Sequence, residues 1–172
     1  REAKEPAYLV DVRAFRLDGI DDLTDPQPAL EQLLAWPSIA SKNWVYRQYD
    51  HMVRNNTIVN PGSDAAVVRV KGDSIPGGDD RNGDFPEKIL AISVDCNAVQ
   101  VYLDPFEGAK AAVAECARNL ACSGAIPIGT TDNLNFGNPH NPELFWQLKE
   151  SVRGLAEGCE AFNAPVTGGN VS

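Results

Sequence analysis

A run of side-chain amides and carboxylates follows a short predicted strand at residues 127–131. Asp132, Asn133, Asn135 and Asn138 fall within seven residues, in a segment where glycine and proline fix turns. Polar groups at the carboxyl end of a strand are typical of ligand sites in α/β sheets. The alternative is an Asx-rich turn whose side chains satisfy only their own backbone, and the sequence leaves both interpretations open.

Two further sets of polar residues fit a ligand or a cation. Glu115 and Asn119 stand four residues apart in a predicted helix, so a carboxylate and an amide oxygen stack one turn apart and could share one hard cation such as Mg²⁺. Asp64 lies at the entrance of a predicted strand, directly after the turn at residues 60–64. The alternative for Glu115 and Asn119 is an exposed pair making an ordinary helical contact.

The end of the chain carries one more polar set. Gly169, Asn170 and Ser172 lie at the far end of a predicted strand over residues 164–172. Glycine permits close approach of the backbone to a ligand, while asparagine and serine supply hydrogen-bond donors and acceptors.

Two helices must position these residues. The first is predicted from Pro105 to the break at Gly124 and carries a thin apolar stripe. The second is capped by Asn141 and runs for about six turns of 3.6 residues. Its apolar residues recur at intervals of three and four: Phe145, Leu148, Val152, Leu155, Cys159 and Phe162.

Strands are predicted at residues 7–15, 65–70, 89–95, 127–131 and 164–172, with residues 99–103 extending the third or pairing beside it. The expected fold is a two-layer α/β (α+β) domain, with a mixed sheet of about four strands and helices on one face. Val67, Ile92 and Val94 make the other face partly apolar. We therefore expect a partner sheet from another repeat or subunit, which includes a homodimer of this chain through its sheet.

Composition limits the functional classes. The 172 residues are 43% hydrophobic and carry a net charge of −9, which argues against nucleic acid or an anionic membrane as partner. The chain has no apolar run long enough to span a bilayer. Cys96, Cys116, Cys122 and Cys159 lack zinc spacing and are predicted to be reduced core thiols of a cytosolic protein. His51 and His140 receive no catalytic role.

Organisation along the chain predicts two parts. Residues 1–48 are interpreted as a linker that packs by a few large side chains, including a short helix from Pro28 to Trp36, and residues 49–172 as the main unit. Residues 71–88, rich in glycine and aspartate, are predicted to form a surface insertion; they lack the residue order of an EF-hand calcium loop. Because the chain opens on Arg1 and closes on a strand, we expect a piece of a longer polypeptide.

Several long strings carry a family resemblance. They are NPGSDAAV, VDCN, LDPFEGAKAAVAECARNLACSGA, TDNLNFGNPHNPELFWQ, GLAEGC and PVTGGNVS, preceded by SIASKNWVYRQYDHMV. From Ser38 to Ser172 the chain resembles the phosphoribosylformylglycinamidine synthase family, and more loosely the superfamily that includes aminoimidazole ribonucleotide synthetase. The resemblance implies the linker and the N-terminal half of a second synthetase-like repeat, with the N-terminal-domain fold of aminoimidazole ribonucleotide synthetase.

The resemblance also implies an activity. In the family, ATP activates the amide oxygen of formylglycinamide ribonucleotide as a phosphate ester, and ammonia from a glutaminase subunit displaces the phosphate. A small bridging subunit completes the complex, which implies a cytoplasmic enzyme of purine biosynthesis that uses ATP and Mg²⁺. The family's catalytic histidine belongs to the first repeat, so no catalytic residue is expected here and the isolated fragment is expected to be inactive.

Site residues follow from matching positions. The resemblance places Asp132 and Gly169 at ATP, Asn170 at Mg²⁺ and Ser172 at the substrate. It assigns a second, pseudo-symmetric nucleotide and Mg²⁺ site to three residues: Asp64, Glu115 and Asn119. The alternative is that this repeat is a non-catalytic nucleotide-binding or structural module that builds the pseudo-dimer.

Overall fold

The computed structural model describes residues 2–71 and 87–172, so the predicted insertion and the rejected calcium loop lie almost wholly outside the described residues. Two 3₁₀ turns occur, at Leu17–Gly19 and Val53–Asn55. The helices are α1 Leu9–Ala14, α2 Pro26–Ala35, α3 Asn43–Tyr46, α4 Ala98–Leu103, α5 Pro105–Cys122 and α6 Pro142–Ala161. The strands are β1 Thr57–Val59, β2 Ala66–Val70, β3 Lys88–Ile92, β4 Thr130–Leu134 and β5 Val166–Val171.

The strands form two sheets. β1, β2 and β3 make an antiparallel sheet in that order, and β4 and β5 make a parallel pair. The α/β class is therefore confirmed, but a single mixed sheet of about four strands was wrong, since no ladder joins the two sheets within the described ranges. The helix α5 separates β3 from β4 along the chain, as expected.

Two predicted strands are helices. Residues 7–15 contain α1, in which Leu9 is buried and Val12 is half-buried one turn later. Residues 99–103 lie in α4, because Asn97 caps it: its Oδ1 accepts hydrogen bonds from the backbone N–H groups of Val99 at 3.1 Å and Gln100 at 3.2 Å. In both cases local capping or tertiary packing outweighs the β propensity of the valines and tyrosines.

The two long helices agree with their predictions. α5 begins at Pro105 after Asp104, whose Oδ1 accepts from Glu107 N–H at 3.0 Å, and α6 begins after Asn141, whose Oδ1 accepts from Glu143 N–H at 2.9 Å. Gly124, with φ of +77°, ends the turn that follows α5. α5 and α6 pack against each other around a small core that includes Ala109, Val113, Ala117 and Cys159.

Burial differs from expectation at several apolar positions. β3 was predicted to be buried, yet Leu90 is 38% exposed, Ile92 53% and the following Val94 92%. Val67 is buried, and because it pairs with Ala91 rather than Ile92, it faces the opposite side of the sheet from Ile92. Thus the apolar face includes Ile92 but excludes Val67.

Large side chains in the first part of the chain are also exposed. Apolar residues of and around α2 that were expected to pack are instead at the surface: Leu30, Leu33, Leu34, Trp36, Trp44 and Tyr49. Two of the cysteines predicted for the core, Cys96 and Cys122, are exposed, whereas Cys116 is half-buried and Cys159 buried. No helix among the described residues has both the length and the apolar character that a membrane span requires.

Candidate functional site

The parallel pair β4–β5 brings two of the predicted polar sets together. Asp132 lies beside Gly169 and Asn133 beside Asn170 in the register of the two strands. Asn170 Nδ2 donates a hydrogen bond to Ser172 Oγ at 2.8 Å. The amide oxygen of Asn170 takes no part in this hydrogen bond. Residues 37 positions apart in the chain therefore lie side by side at one edge of the fold.

Asp132 and Asn170 project to opposite faces of this pair. A Cβ atom built on Gly169 would lie 2.0 Å from Asp132 Oδ1. The Asp132 carboxylate therefore occupies the space that a side chain at Gly169 would fill. Asn170 is the next residue and points the other way, toward the same face as Ser172. The carboxylate set and the amide–hydroxyl set are thus separated by the thickness of the sheet.

The loop at residues 135–141 is tied to the same edge. Phe136 N–H donates to the carbonyl oxygen of Ser172 at 3.1 Å, and Ser172 N–H donates to that of Leu134 at 2.9 Å. Asn138 Oδ1 accepts from His140 N–H at 2.9 Å, so this asparagine satisfies its own backbone. The Asx-turn interpretation therefore describes Asn138, while Asp132 belongs to the strand itself.

A separate polar cluster joins the segment that follows β3 to α5. Asn119 Nδ2 donates to Asp95 Oδ1 at 3.0 Å, and the Ser93 hydroxyl donates to Asp95 Oδ2. Burial opposes ionisation of Asp95, but hydrogen bonds from Ser93, Cys116 and Asn119 outweigh it and lower the pKa of this carboxyl. Burial, with the neighbouring Asp95, raises the pKa of the Cys116 thiol to about 11, so Cys116 stays protonated and acts as a donor.

Only one of the three residues predicted for the second nucleotide site belongs to this cluster. Asn119 belongs to it, Glu115 is half-buried one turn earlier on α5, and Asp64 is exposed at the turn before β2. Asp95 was absent from the predicted set, although its place as the last residue of a predicted strand, in the string VDCN, was a signal that could have found it. Among the described residues, no group of three or more histidine, cysteine, aspartate or glutamate side chains is arranged to hold a metal ion.

Comparison with known proteins places the chain among relatives of much greater length. It is 52% identical over 168 residues to phosphoribosylformylglycinamidine synthase subunit PurL of Gloeobacter violaceus, covering 97% of this chain and 22% of the relative. It is 53% identical over 169 residues to the subunit of the same name from Thermosynechococcus vestitus, covering 97% and 20%. The chain thus spans about a fifth of the length of these curated relatives.

Solved structures from Thermotoga maritima share the fold. The structure of PurLQS matches with a TM-score of 0.64 at 29% identity, and PurL complexed with ATP with a TM-score of 0.60 at 28% identity; each match covers 77% of this chain and 20% of the other. PurL complexed with FGAR matches with a TM-score of 0.59 at 30% identity, covering 77% and 19%. The family model described as AIR synthase related protein, N-terminal domain, matches residues 62–172. Since that match takes in more than half of the chain, this protein belongs to the family of AIR synthase related proteins.

Proposed function

We propose that this chain is part of a phosphoribosylformylglycinamidine synthase, an ATP-dependent ligase that converts formylglycinamide ribonucleotide and ammonia to formylglycinamidine ribonucleotide. The observation that carries the proposal is the polar edge of β4–β5, where Asp132 lies beside Gly169 and Asn170 is hydrogen-bonded to Ser172. Support comes from the relatives of that name and from Thermotoga maritima PurL complexed with ATP and with FGAR.

In this proposal the two sides of the edge have different ligands. Asp132 and the open backbone at Gly169 contact ATP, and Asn170 ligates Mg²⁺ through its amide oxygen. Ser172 hydrogen-bonds formylglycinamide ribonucleotide. Because Asp132 and Asn170 face opposite sides of the pair, a nucleotide that reaches both must lie across the carboxyl ends of the strands, where ligands of α/β sheets commonly bind.

The donor set fits Mg²⁺ only in part. Amide and hydroxyl oxygens are suitable ligands for a hard cation, but Asn170 and Ser172 are both neutral. The remaining ligands would be phosphate oxygens of the nucleotide and carboxylates from another part of the polypeptide. When bound, Mg²⁺ neutralises charge on the transferred phosphoryl group, while this chain's own residues orient the nucleotide and the substrate amide.

Asp64, Glu115 and Asn119 form, in this proposal, part of an auxiliary nucleotide and Mg²⁺ site. Asn119 Nδ2 donates to Asp95, and the amide oxygen of Asn119 takes no part in this hydrogen bond. The enzyme acts in the cytoplasm with a glutaminase subunit and a small bridging subunit as partners. The isolated chain lacks the remaining part of the site and is expected to be inactive.

The test uses the intact parent chain and measures ADP release from ATP with formylglycinamide ribonucleotide and ammonia. Asn170→Ala is expected to lower turnover by roughly 100-fold or more at unchanged folded fraction, as when a group that stabilises developing charge is removed. Asn43→Ala, an exposed asparagine on α3, serves as the matched control and should leave turnover unchanged.

A second candidate is a non-catalytic repeat that binds nucleotide or builds the pseudo-dimer. The exposed apolar face of the three-stranded sheet, with Leu90 and Ile92, favours it. Under this alternative, Asn170→Ala reduces stability and leaves substrate-dependent turnover per folded molecule unchanged. Absence of any substrate-dependent ADP release from the wild-type parent would reject the ligase reaction itself.

A further inference from the structure

The N-terminal residues 4–9, here termed the strap, dock on the main unit. Pro6 and Leu9 are buried, and the ring of Tyr8 stacks on that of Tyr102 in α4 with centroids 4.4 Å apart and an interplanar angle of 6°. The Tyr8 hydroxyl donates to the carbonyl oxygen of Tyr102. Burial raises the pKa of the Tyr8 phenol, so the hydroxyl keeps the proton that it donates.

The strap also holds the first two turns of α6. Gln147 Nε2 donates to the Tyr8 hydroxyl oxygen at 2.9 Å, and Lys4 N–H donates to the carbonyl oxygen of Pro142 at 3.0 Å. The Lys4 ammonium lies 3.9 Å from the Glu143 carboxylate. Glu143 and Gln147 are four residues apart, so they share one face of the helix, and this is the face that meets the strap.

The start of α6 is also the end of the polar loop at residues 135–141. At its other end, that loop donates from Phe136 N–H to the carbonyl oxygen of Ser172 at 3.1 Å. The loop is therefore fixed at two points, one at Ser172, which directly follows β5, and one at the helix end that the strap holds. Loss of the strap contacts would weaken the second of these two anchors.

We propose that the strap positions the polar loop and Ser172 for substrate binding, with Tyr8 as the positioning residue. This inference rests on the proposed function for its kinetic consequence, because Ser172 is the proposed substrate contact. Tyr8 suits the role because one side chain joins α4 by ring stacking and a hydrogen bond, and α6 by a second hydrogen bond. Tyr8 thereby fixes the start of α6 relative to α4.

The experiment compares Tyr8→Ala, Tyr8→Phe and wild type in the intact parent chain. Two quantities are measured: hydrogen exchange of backbone amides at residues 135–147, and the KM for formylglycinamide ribonucleotide in the ADP-release assay. Tyr8→Ala is expected to speed exchange across the loop and to raise the KM by roughly 3- to 10-fold with a smaller change in kcat, as when a few contacts of modest net strength are lost. Tyr8→Phe retains the ring stack and should show a smaller effect of the same kind.

Tyr49→Ala is the matched control, since that ring is 70% exposed and lies outside the strap. Unchanged loop exchange in Tyr8→Ala overturns the proposal. Faster exchange with an unchanged KM overturns it as well, because the strap would then only stabilise the fold. If the wild type shows no substrate-dependent ADP release, the proposed ligase function fails, and the exchange data still decide whether the strap holds the loop.

Discussion

At the scale of single residues, the absence of a side chain at Gly169 is what lets Asp132 lie across the neighbouring strand. A Cβ atom at Gly169 would stand 2.0 Å from Asp132 Oδ1 and 2.8 Å from the Asp132 carbonyl oxygen. The first contact can be relieved by turning the carboxylate, but the second involves backbone and cannot. The adjacent Gly168 has no neighbouring atom within 4 Å of such a Cβ, so the two glycines differ in what they permit.

This difference makes a prediction for the intact parent. Gly169→Ala should displace the Asp132 carboxylate and raise the KM for ATP by roughly tenfold, the effect of losing about 1.4 kcal/mol of binding. Gly168→Ala should leave the KM for ATP nearly unchanged. The check is ADP release against ATP concentration for the two variants. Equal effects of the two substitutions would contradict the proposed contact between Asp132 and ATP.

At the scale of elements, α5 and α6 cross so closely that glycine is required at one contact. A Cβ atom at Gly154 would lie 2.1 Å from the backbone carbonyl oxygen of Phe106, which has no room to move within α5. At Gly158 the corresponding distance is 3.1 Å to the side chain of Val113. Around this crossing, the Phe106 ring receives the Arg153 guanidinium at 4.4 Å and the Lys110 ammonium at 4.9 Å.

Gly154→Ala is therefore expected to destabilise the protein, by roughly 2 kcal/mol or more, because the steric cost of overpacking exceeds the helix-propensity gain of about 1 kcal/mol. Gly158→Ala should be near neutral, since the same gain in propensity offsets a milder contact. Urea unfolding followed by circular dichroism measures both. A Gly154→Ala variant as stable as the wild type would show that the helices separate at little cost.

At the scale of the whole molecule, the three-stranded sheet leaves an apolar face uncovered. Leu90 and Ile92 point to one side together with Ala66 and Val68, their partners in β2. Ile89 points to the other side, opposite Arg69. An exposed apolar sheet face of this kind is typical of an interaction surface, and a second copy of the sheet is the partner that the fold offers when the chain is alone.

We expect the isolated chain to form a homodimer through this face, and Ile92→Glu to shift it toward the monomer by placing a charge in the interface. Ile89→Glu, on the opposite face and beside Arg69, is the matched control and should leave association unchanged. Sedimentation velocity over a range of concentrations measures the shift. A wild-type chain that remains monomeric at high concentration would exclude this dimer.

The sequence by itself determined the features that depend on short-range chemistry. The cap at Asn141, the first-turn prolines and the apolar repeats set the two long helices within a few residues of their observed bounds. Strands at residues 66–70, 88–92 and 166–171 were likewise recognisable from their composition. The polar residues at the end of β5 could also be predicted, because glycine permits close backbone approach there and asparagine and serine supply hydrogen-bond donors and acceptors.

Tertiary structure decided what depends on distant neighbours. Strand pairing separated the predicted single sheet into two, and register placed Asp132 and Asn170 on opposite faces, which alternation within one strand could not reveal. Packing made α1 from a segment with strand-like composition, since burial of Leu9 and the stacking of Tyr8 on Tyr102 depend on residues more than ninety positions away. The hydrogen bond between Asp95 and Asn119 depends on distant neighbours in the same way. It joins the segment after a strand to a helix and forms only when both have packed, so local sequence patterns do not predict it.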